Sequence, residues 1–346
     1  MPSIAVVIPS YKVKSHIIAT INGIGPEVSR IYVVDDKCPE GTGHHVEHNC
    51  KDSRVIVLYH ESNKGVGGST ITGYRQAVAD GSEILIKLDG DGQMDARLIP
   101  FFVEPIQRGL ADYVKGNRFF SGKALKSMPN IRLFGNAVLS FMTKASSGYW
   151  DMLDPTNGYT AIHAKVLSAV DLDQVSSRYF FESDMLFQLG KIRARVIDLP
   201  LMSLYGAEES NLRISKVLPE FLGNNIKNLL KRIVYVYFVR GFSLASIALI
   251  MSSVLLLVGS ISALVVGVSA NLSGVPASTG AIVSVAILLI FGFQLLMTFL
   301  SHDISSTPNT AIHPLLAIVP GAPLDQSYPG GDSEPSESES GELLDK

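Results

Sequence analysis

An open α/β sheet followed by a hairpin of two membrane-spanning helices is the fold class that this sequence predicts. Three observations carry the prediction. Short apolar runs alternate with helical stretches from Ile4 to about Val114, the pattern of a sheet whose parallel strands are linked by helices. Acidic residues stand directly after the second and fourth of those runs, at Asp35, Asp36, Asp89 and Asp91. Between Gly241 and His302 there is no Asp, Glu, Lys or Arg, a stretch long enough for two bilayer spans of ~20 residues each.

Ile4–Ile8 is a continuous apolar run closed by Pro9-Ser10-Tyr11, and such a run suits a strand covered on both faces. Residues 14–23 read as a helix, and Ile31–Val34 as a second strand ending in Asp35-Asp36. Val55–Tyr59 is the third strand, and a helix beginning near Gly67 carries on through Val78. Ile84–Ile86 is the fourth strand, residues 96–108 a helix, and Ala111–Val114 the fifth strand. The spans are expected near 242–268 and 280–300, parted by Asn271–Thr279, whose Gly, Pro and Ser read as a turn.

Just before the hairpin, Leu218, Leu222, Ile226, Leu229 and Ile233 recur at three- or four-residue steps, with Lys227, Lys231 and Arg232 between them. This pattern suits an interfacial helix that turns its bases towards anionic headgroups. Lys227, Lys231, Arg232 and Arg240 precede a hairpin whose turn is uncharged. By the positive-inside rule the N-terminal domain faces the cytoplasm. The expected divisions are 1–212 for the α/β domain, 213–240 for the amphipathic region, 241–303 for the hairpin and 304–346 for a tail. Within it, residues 332–346 carry Asp332, Glu334, Glu337, Glu339, Glu342 and Asp345 against Lys346 alone, a disordered composition.

The 346 residues carry a formal charge of −3, with no basic bias that would suggest nucleic acid as a partner. Cys38 and Cys50 are the two cysteines, too few for a disulfide framework and in keeping with a reducing compartment. His44, His45 and His48 lie between them, but the spacing fits no familiar zinc site, and the stretch reads as a solvated loop and helix. The N-terminus has no basic region ahead of its apolar run and makes a poor signal peptide.

The chemistry concentrates in Lys87-Leu88-Asp89-Gly90-Asp91-Gly92-Gln93. In an open α/β sheet, ligands gather at the carboxyl ends of the strands. Two carboxylates placed there can hold a hard divalent cation, since Mg²⁺ takes one or two carboxylates and completes its shell with water and phosphate oxygens. The glycine run Asn63-Lys64-Gly65-Val66-Gly67-Gly68 lacks the ending of a P-loop. It reads either as a strand-to-helix turn or as bare backbone over which a nucleotide passes.

Val6–Tyr11, Val33–Asp36, Asn63-Lys64-Gly65 and Asp89–Gln93, in that order, resemble the GT-A glycosyltransferases of family 2. The likeness is closest to the polyprenyl-phosphate glycosyltransferases, the group of dolichol-phosphate mannose synthase, and it covers about residues 3–240. It implies a Rossmann-like nucleotide-sugar domain and a nucleotide pocket lined by Pro9, Tyr11, Asp36, Asn63 and Asp89. It also implies a Mg²⁺ or Mn²⁺ site at Asp91, Gln93 and Asp89. Gly116-Asn117-Arg118 resembles the family's Gly-Ser-Arg step, so Arg118 and Arg132 are candidates to grip the acceptor phosphate. Asp154–Tyr159 resembles the acceptor-side segment. Glu182-Ser183-Asp184 falls where the family carries an acidic pair, with Asp184 the leading base should the acceptor be a hydroxyl. Asp91, Asp184 and Arg118 form the expected catalytic set. Met94 and Ala96 replace a His and a Pro common after the acidic run, and the Gln-x-x-Arg-Trp motif of processive synthases is absent.

The resemblance therefore implies a membrane-anchored enzyme that moves one sugar, from a donor of the GDP-mannose or UDP-glucose type, to a polyprenyl or dolichyl phosphate. The alternatives are transfer to a lipid or glycan hydroxyl, and a non-catalytic membrane scaffold with the same fold.

Overall fold

The structure is a computed structural model that describes residues 2–119, 130–201 and 214–316, without the side chains of 130–133 and 214–218. A seven-stranded sheet forms its centre. Its strands are β1 (Ile4–Ser10), β2 (Arg30–Asp35), β3 (Val55–Tyr59), β4 (Ile84–Lys87), β5 (Tyr113–Asn117), β6 (Thr160–His163) and β7 (Val196–Pro200). Their spatial order is β3-β2-β1-β4-β6-β5-β7. The chain winds one way from β1 to β3 and then crosses back to β4, so β1 and β4 flank the switch point where ligands bind.

The α/β expectation holds, with one correction. β6 runs antiparallel to both β4 and β5, while the other pairings are parallel. Its four residues are too few to show a direction in sequence. The register sets Thr160 of β6 against both Lys87 of β4 and Lys115 of β5, so two lysines flank one threonine in the middle of the sheet.

Alternate residues of β1 feed two cores, as the two-residue strand period demands. Val6 and Ile8 join Ile17 and Ile21 of α1 (Ile17–Asn22) and Phe102 and Ile106 of α4 (Ile99–Gln107). Ala5 and Val7 face the other way. They meet Ile71 and Tyr74 of α3 (Gly65–Ala79) and Met185 and Leu189 of α7 (Phe181–Ile192). Between these helices in the chain lie α2 (Thr42–Asn49), α5 (Asn130–Ser147) and α6 (Ala164–Ser168). The contact of α3 with β1 is close: a Cβ on Gly73 would lie 2.3 Å from Val7 Cγ1.

Helix α8 (Ile214–Val234) runs into a short π-helical turn, Tyr235–Arg240. The hairpin follows as α9 (Leu244–Ser273) and α10 (Thr279–Ser305). Both hairpin helices are long and apolar enough to cross a membrane, and only 11% of each apolar window is buried inside the protein. A soluble core pair would be mostly buried.

Helix α8 is turned inside out. Asn225, Asn228 and Arg232 are buried at 0%, 5% and 5% exposure, whereas Ile226, Leu230 and Val234 are 49%, 60% and 54% exposed. The inner residues each hold a different element. Asn225 Oδ1 accepts from Ser146 Oγ of α5 at 2.6 Å, Asn228 Nδ2 donates to Asp184 of α7 at 2.9 Å, and Arg232 clasps Asp303 of α10 at 2.7 and 2.8 Å. This corrects the expected helix face: Lys227 and Lys231 are exposed, but Arg232 points into the protein.

The expected boundary at 304 also shifts. After α10 the chain returns to the α/β domain and ends its described course in α11 (His313–Leu316). Ser306 and Pro308 carbonyls accept from Arg193 and Arg195, and Asp112 accepts from the backbone N–H groups of Ile312 and His313. The acidic stretch from 317 on lies outside the described residues.

Replacing Gly73 by alanine is expected to drive a methyl group into Val7 and destabilise the domain by about 1–3 kcal/mol. A lower thermal-unfolding midpoint with an unchanged helical spectrum checks this.

Candidate active site

Asp89 and Asp91 follow β4 at the carboxyl edge of the sheet, beside the ends of β1 and β2. Gly92 sits at φ +77° and turns the loop. Gln93 donates its backbone N–H to Asp91 Oδ1 at 3.0 Å, and the Gln93 side chain is exposed. Asp89 is held from below. Lys87 Nζ reaches Asp89 Oδ1 at 2.7 Å, the Gly158 carbonyl at 3.2 Å and Glu182 Oε1 at 3.3 Å. Burial pulls the Lys87 ammonium down, but Asp89 and Glu182 together hold its pKa above the ordinary lysine value. Gly158 makes room for this contact, since a Cβ there would lie 2.6 Å from Lys87 Nζ and 2.9 Å from Asp89 Oδ2.

The expected nucleotide residues cluster at the ends of β1 and β2. Pro9 lies opposite Val34, and Tyr11 is 45% exposed with Lys12 Nζ 5.5 Å from its ring centroid. Asp36 is 3% exposed, and its carboxylate takes the N–H groups of Lys64 and Gly65 at 2.8 and 2.7 Å. His60 Nδ1 lies 2.7 Å from the same carboxylate and its Nε2 2.9 Å from Thr72 Oγ1. Asn63 is exposed and donates to the Asp36 carbonyl at 3.1 Å. Asp36 is thus the anchor of the glycine loop. The glycines themselves face protein: a Cβ on Gly65 would lie 2.7 Å from Ser177 O, and one on Gly67 would lie 2.5 Å from Ser176 O. Their smallness serves the packing of residues 176–181, which favours the strand-to-helix reading of that run.

Arg118, just beyond β5, is pinned by Asp154. Its Nε and Nη2 donate to that wholly buried carboxylate at 2.8 and 3.1 Å, and the Arg118 side chain remains 41% exposed. The side chain of Arg132 lies outside the described residues. Lys115 is fully buried and donates to the Asn157 carbonyl. Burial lowers its pKa to about 8, with Glu182 and Asp154 pulling the other way.

The acidic pair on α7 divides. Glu182 enters the site and touches Lys87. Asp184 is 7% exposed and bonds Asn228 of α8 and the N–H of Ser176. Residues two apart on a helix point ~200° from each other, so both cannot face one ligand. Burial raises the Asp184 pKa, and the hydrogen bonds from Asn228 and Ser176 oppose it. Placed so, Asp184 braces α7 against α8, and Glu182 lies beside Lys87 at the carboxyl edge. Lys87 and His60 have no role in the sequence reading, and Gly158 enters it only as part of the Asp154–Tyr159 segment. A lysine ending an otherwise apolar strand was the one available signal.

Asp89 and Asp91 offer hard oxygen ligands, with the charge of Asp89 partly balanced by Lys87. That donor set fits Mg²⁺ or Mn²⁺ completed by diphosphate oxygens.

Gly158→Ala is expected to displace Lys87 and Asp89 and to lower kcat/KM at least tenfold while the fold survives. Steady-state kinetics alongside a melting curve check it. A second expectation concerns pH. Between about 8 and 10.5 the unfolded chain keeps a proton that folded Lys115 has released. Stability therefore rises with pH across that window, by roughly 3 kcal/mol in full. Lys115→Met removes the rise, which denaturant titrations at pH 7.5 and 9.5 would show.

The family model for glycosyl transferase family 2 matches residues 5–171. The undecaprenyl-phosphate mannosyltransferase of Micrococcus luteus is 29% identical over 64% of this chain and 90% of its own. The UDP-N-acetylglucosamine–dolichyl-phosphate N-acetylglucosaminyltransferase of Methanococcus voltae is 33% identical over 49% of this chain and 66% of its own. The polyprenol monophosphomannose synthase of Mycolicibacterium smegmatis is 27% identical over 64% of this chain and 82% of its own. The matched region holds the whole carboxyl edge from Pro9 to Gly158. With the Asp89–Asp91 pair inside it, residues 5–171 form a glycosyl transferase family 2 domain, and the chain is a glycosyltransferase.

Proposed function

We propose that the enzyme transfers one sugar from a nucleotide-sugar donor to a polyprenyl phosphate at a membrane surface, with inversion at the sugar carbon and with Mg²⁺ or Mn²⁺. The observation that carries the lipid acceptor is the inside-out helix α8. A helix with apolar Ile226, Leu230 and Val234 outward and Asn225, Asn228 and Arg232 inward is unstable against water and stable against lipid. It adjoins the membrane hairpin and packs on α7, which carries Glu182 into the site. The named relatives act on undecaprenyl, dolichyl and polyprenol phosphates, which supports the same class of acceptor here. Exposed Lys227, Lys231 and Arg240 beside the hairpin favour a catalytic domain on the cytoplasmic face.

In this reading Tyr11 offers its exposed ring to the nucleotide base, and Asp36 holds the Lys64–Gly65 backbone that borders the pocket. Asp91, with Asp89, would hold the cation. Bound there, the cation neutralises the charge that grows on the departing diphosphate, a contribution of several kcal/mol. Lys87 keeps Asp89 in place, and Arg118, fixed by Asp154, presents its guanidinium to the acceptor phosphate. A phosphate monoester has its second pKa near ~6, so it arrives already ionised and needs no base. The carboxylates of α7 agree with this, because Glu182 is committed to Lys87 and Asp184 to Asn228 and Ser176.

Membranes containing the enzyme, incubated with GDP-mannose, UDP-glucose or UDP-N-acetylglucosamine and a polyprenyl phosphate, are expected to yield a mild-acid-labile glycolipid of the mass of one sugar plus the lipid phosphate. An acid-stable product would point instead to a hydroxyl acceptor. No transfer and no donor hydrolysis from any donor would point to a scaffold. In single-turnover assays Asp91→Ala is expected to lose about 100-fold or more, and Asp184→Asn less than about tenfold. Equal, near-complete losses would refute this division of roles.

A further inference from the structure

The hairpin is tied to the catalytic domain more tightly than an anchor requires. From Gly241 to the end of α10, Asp303 is the only Asp, Glu, Lys or Arg. It is 3% exposed and accepts hydrogen bonds from Arg232 Nη1 and Nη2, from Tyr237 Oη at 2.6 Å and from Trp150 Nε1 at 2.9 Å. Arg232 Nε donates onward to the Ala145 carbonyl at the end of α5 at 3.0 Å. Directly after α10, Thr307 Oγ1 reaches the Gly148 carbonyl at 3.4 Å, and Arg193 and Arg195 take the carbonyls of Ser306 and Pro308.

A flexible linker would anchor the domain equally well. Here four donor groups from three residues, on two separate segments, converge on one carboxylate at the end of a membrane helix. Burying such a pair costs desolvation, and its best-attested use is to fix one register among several.

We infer that Asp303 and Arg232 are positioning residues: they hold the catalytic domain at one height and angle on the hairpin, so that the phosphate of a membrane-embedded lipid meets the carboxyl edge of the sheet. The same helix face carries the constraint inward, because Asn228, one turn before Arg232, holds Asp184 on the helix that bears Glu182. The inference rests on the lipid-phosphate reading for its kinetic consequence, but not for its structural one.

The test has two arms. In the first, transfer is compared between a long-chain polyprenyl phosphate in vesicles and a short, water-soluble prenyl phosphate. Asp303→Asn is expected to lower kcat/KM at least tenfold for the vesicle acceptor and less than threefold for the soluble one, with nucleotide binding unchanged. Arg232→Lys keeps the charge, loses the two-pronged grip and should fall between. It carries the comparison if Asp303→Asn no longer binds nucleotide. The second arm needs no activity. Trp150 is the only tryptophan in the chain, and its indole is bonded to Asp303. Its quenching by lipids brominated at different depths should give one sharp depth in the wild type and a broadened or displaced one in either variant. Equal losses on both acceptors, or an unchanged quenching profile in a folded variant, would overturn the inference. A wild-type enzyme that uses neither acceptor would overturn the lipid-phosphate reading, and the quenching arm would still decide the positioning.

Discussion

The polar inner face of α8 is the constraint on which the arrangement depends. A helix in water hides its apolar stripe, but this one hides Asn225, Asn228 and Arg232. Each must be paired, because an unsatisfied polar group in the interior costs several kcal/mol and an unpaired charge more. The partners come from α5, α7 and α10, so one helix face fixes three elements at once. The outer face leaves Ile226, Leu230 and Val234 exposed beside a hairpin long and apolar enough to cross a membrane.

The site inherits its order from the same kind of pairing. Lys87 is buried in the sheet and is stable there as an ammonium because Asp89, Glu182 and the Gly158 carbonyl surround it. Asp89 is thereby held in place before any ligand arrives. Asp36 works in the same way on the other side of β1, where two backbone N–H groups and His60 occupy its carboxylate. Asp89 and Asp36 are thus both held by groups of the protein itself.

Much of this was legible beforehand. The five N-terminal strands, the two spans and the acidic pair after β4 all rest on runs of adjacent residues, and a run is visible in sequence. The glycine loop was legible only as a choice between two readings, because a glycine shows that space is needed and not what fills it. Ser176 and Ser177, which fill it, lie more than a hundred residues away. Which of Glu182 and Asp184 lies beside Lys87 was not legible for a related reason. Spacing on a helix separates the two residues onto different faces, but nothing local says which face looks at β4.

Strand and span patterns, the order of motifs and the placing of Asp89 and Asp91 after β4 were set by residues that act through their immediate neighbours. The direction of β6, the inward turn of Arg232, the return of the chain from Ser306 to Leu316 and the partner of Asp184 were decided in three dimensions. Each depends on groups distant in sequence: Arg232 and Asp303 are 71 positions apart, and Asp112 and His313 are 201. A charged residue among apolar ones announces that it needs a partner. Only the folded chain can say which one it finds, because burial and proximity belong to the whole packing and not to any single stretch.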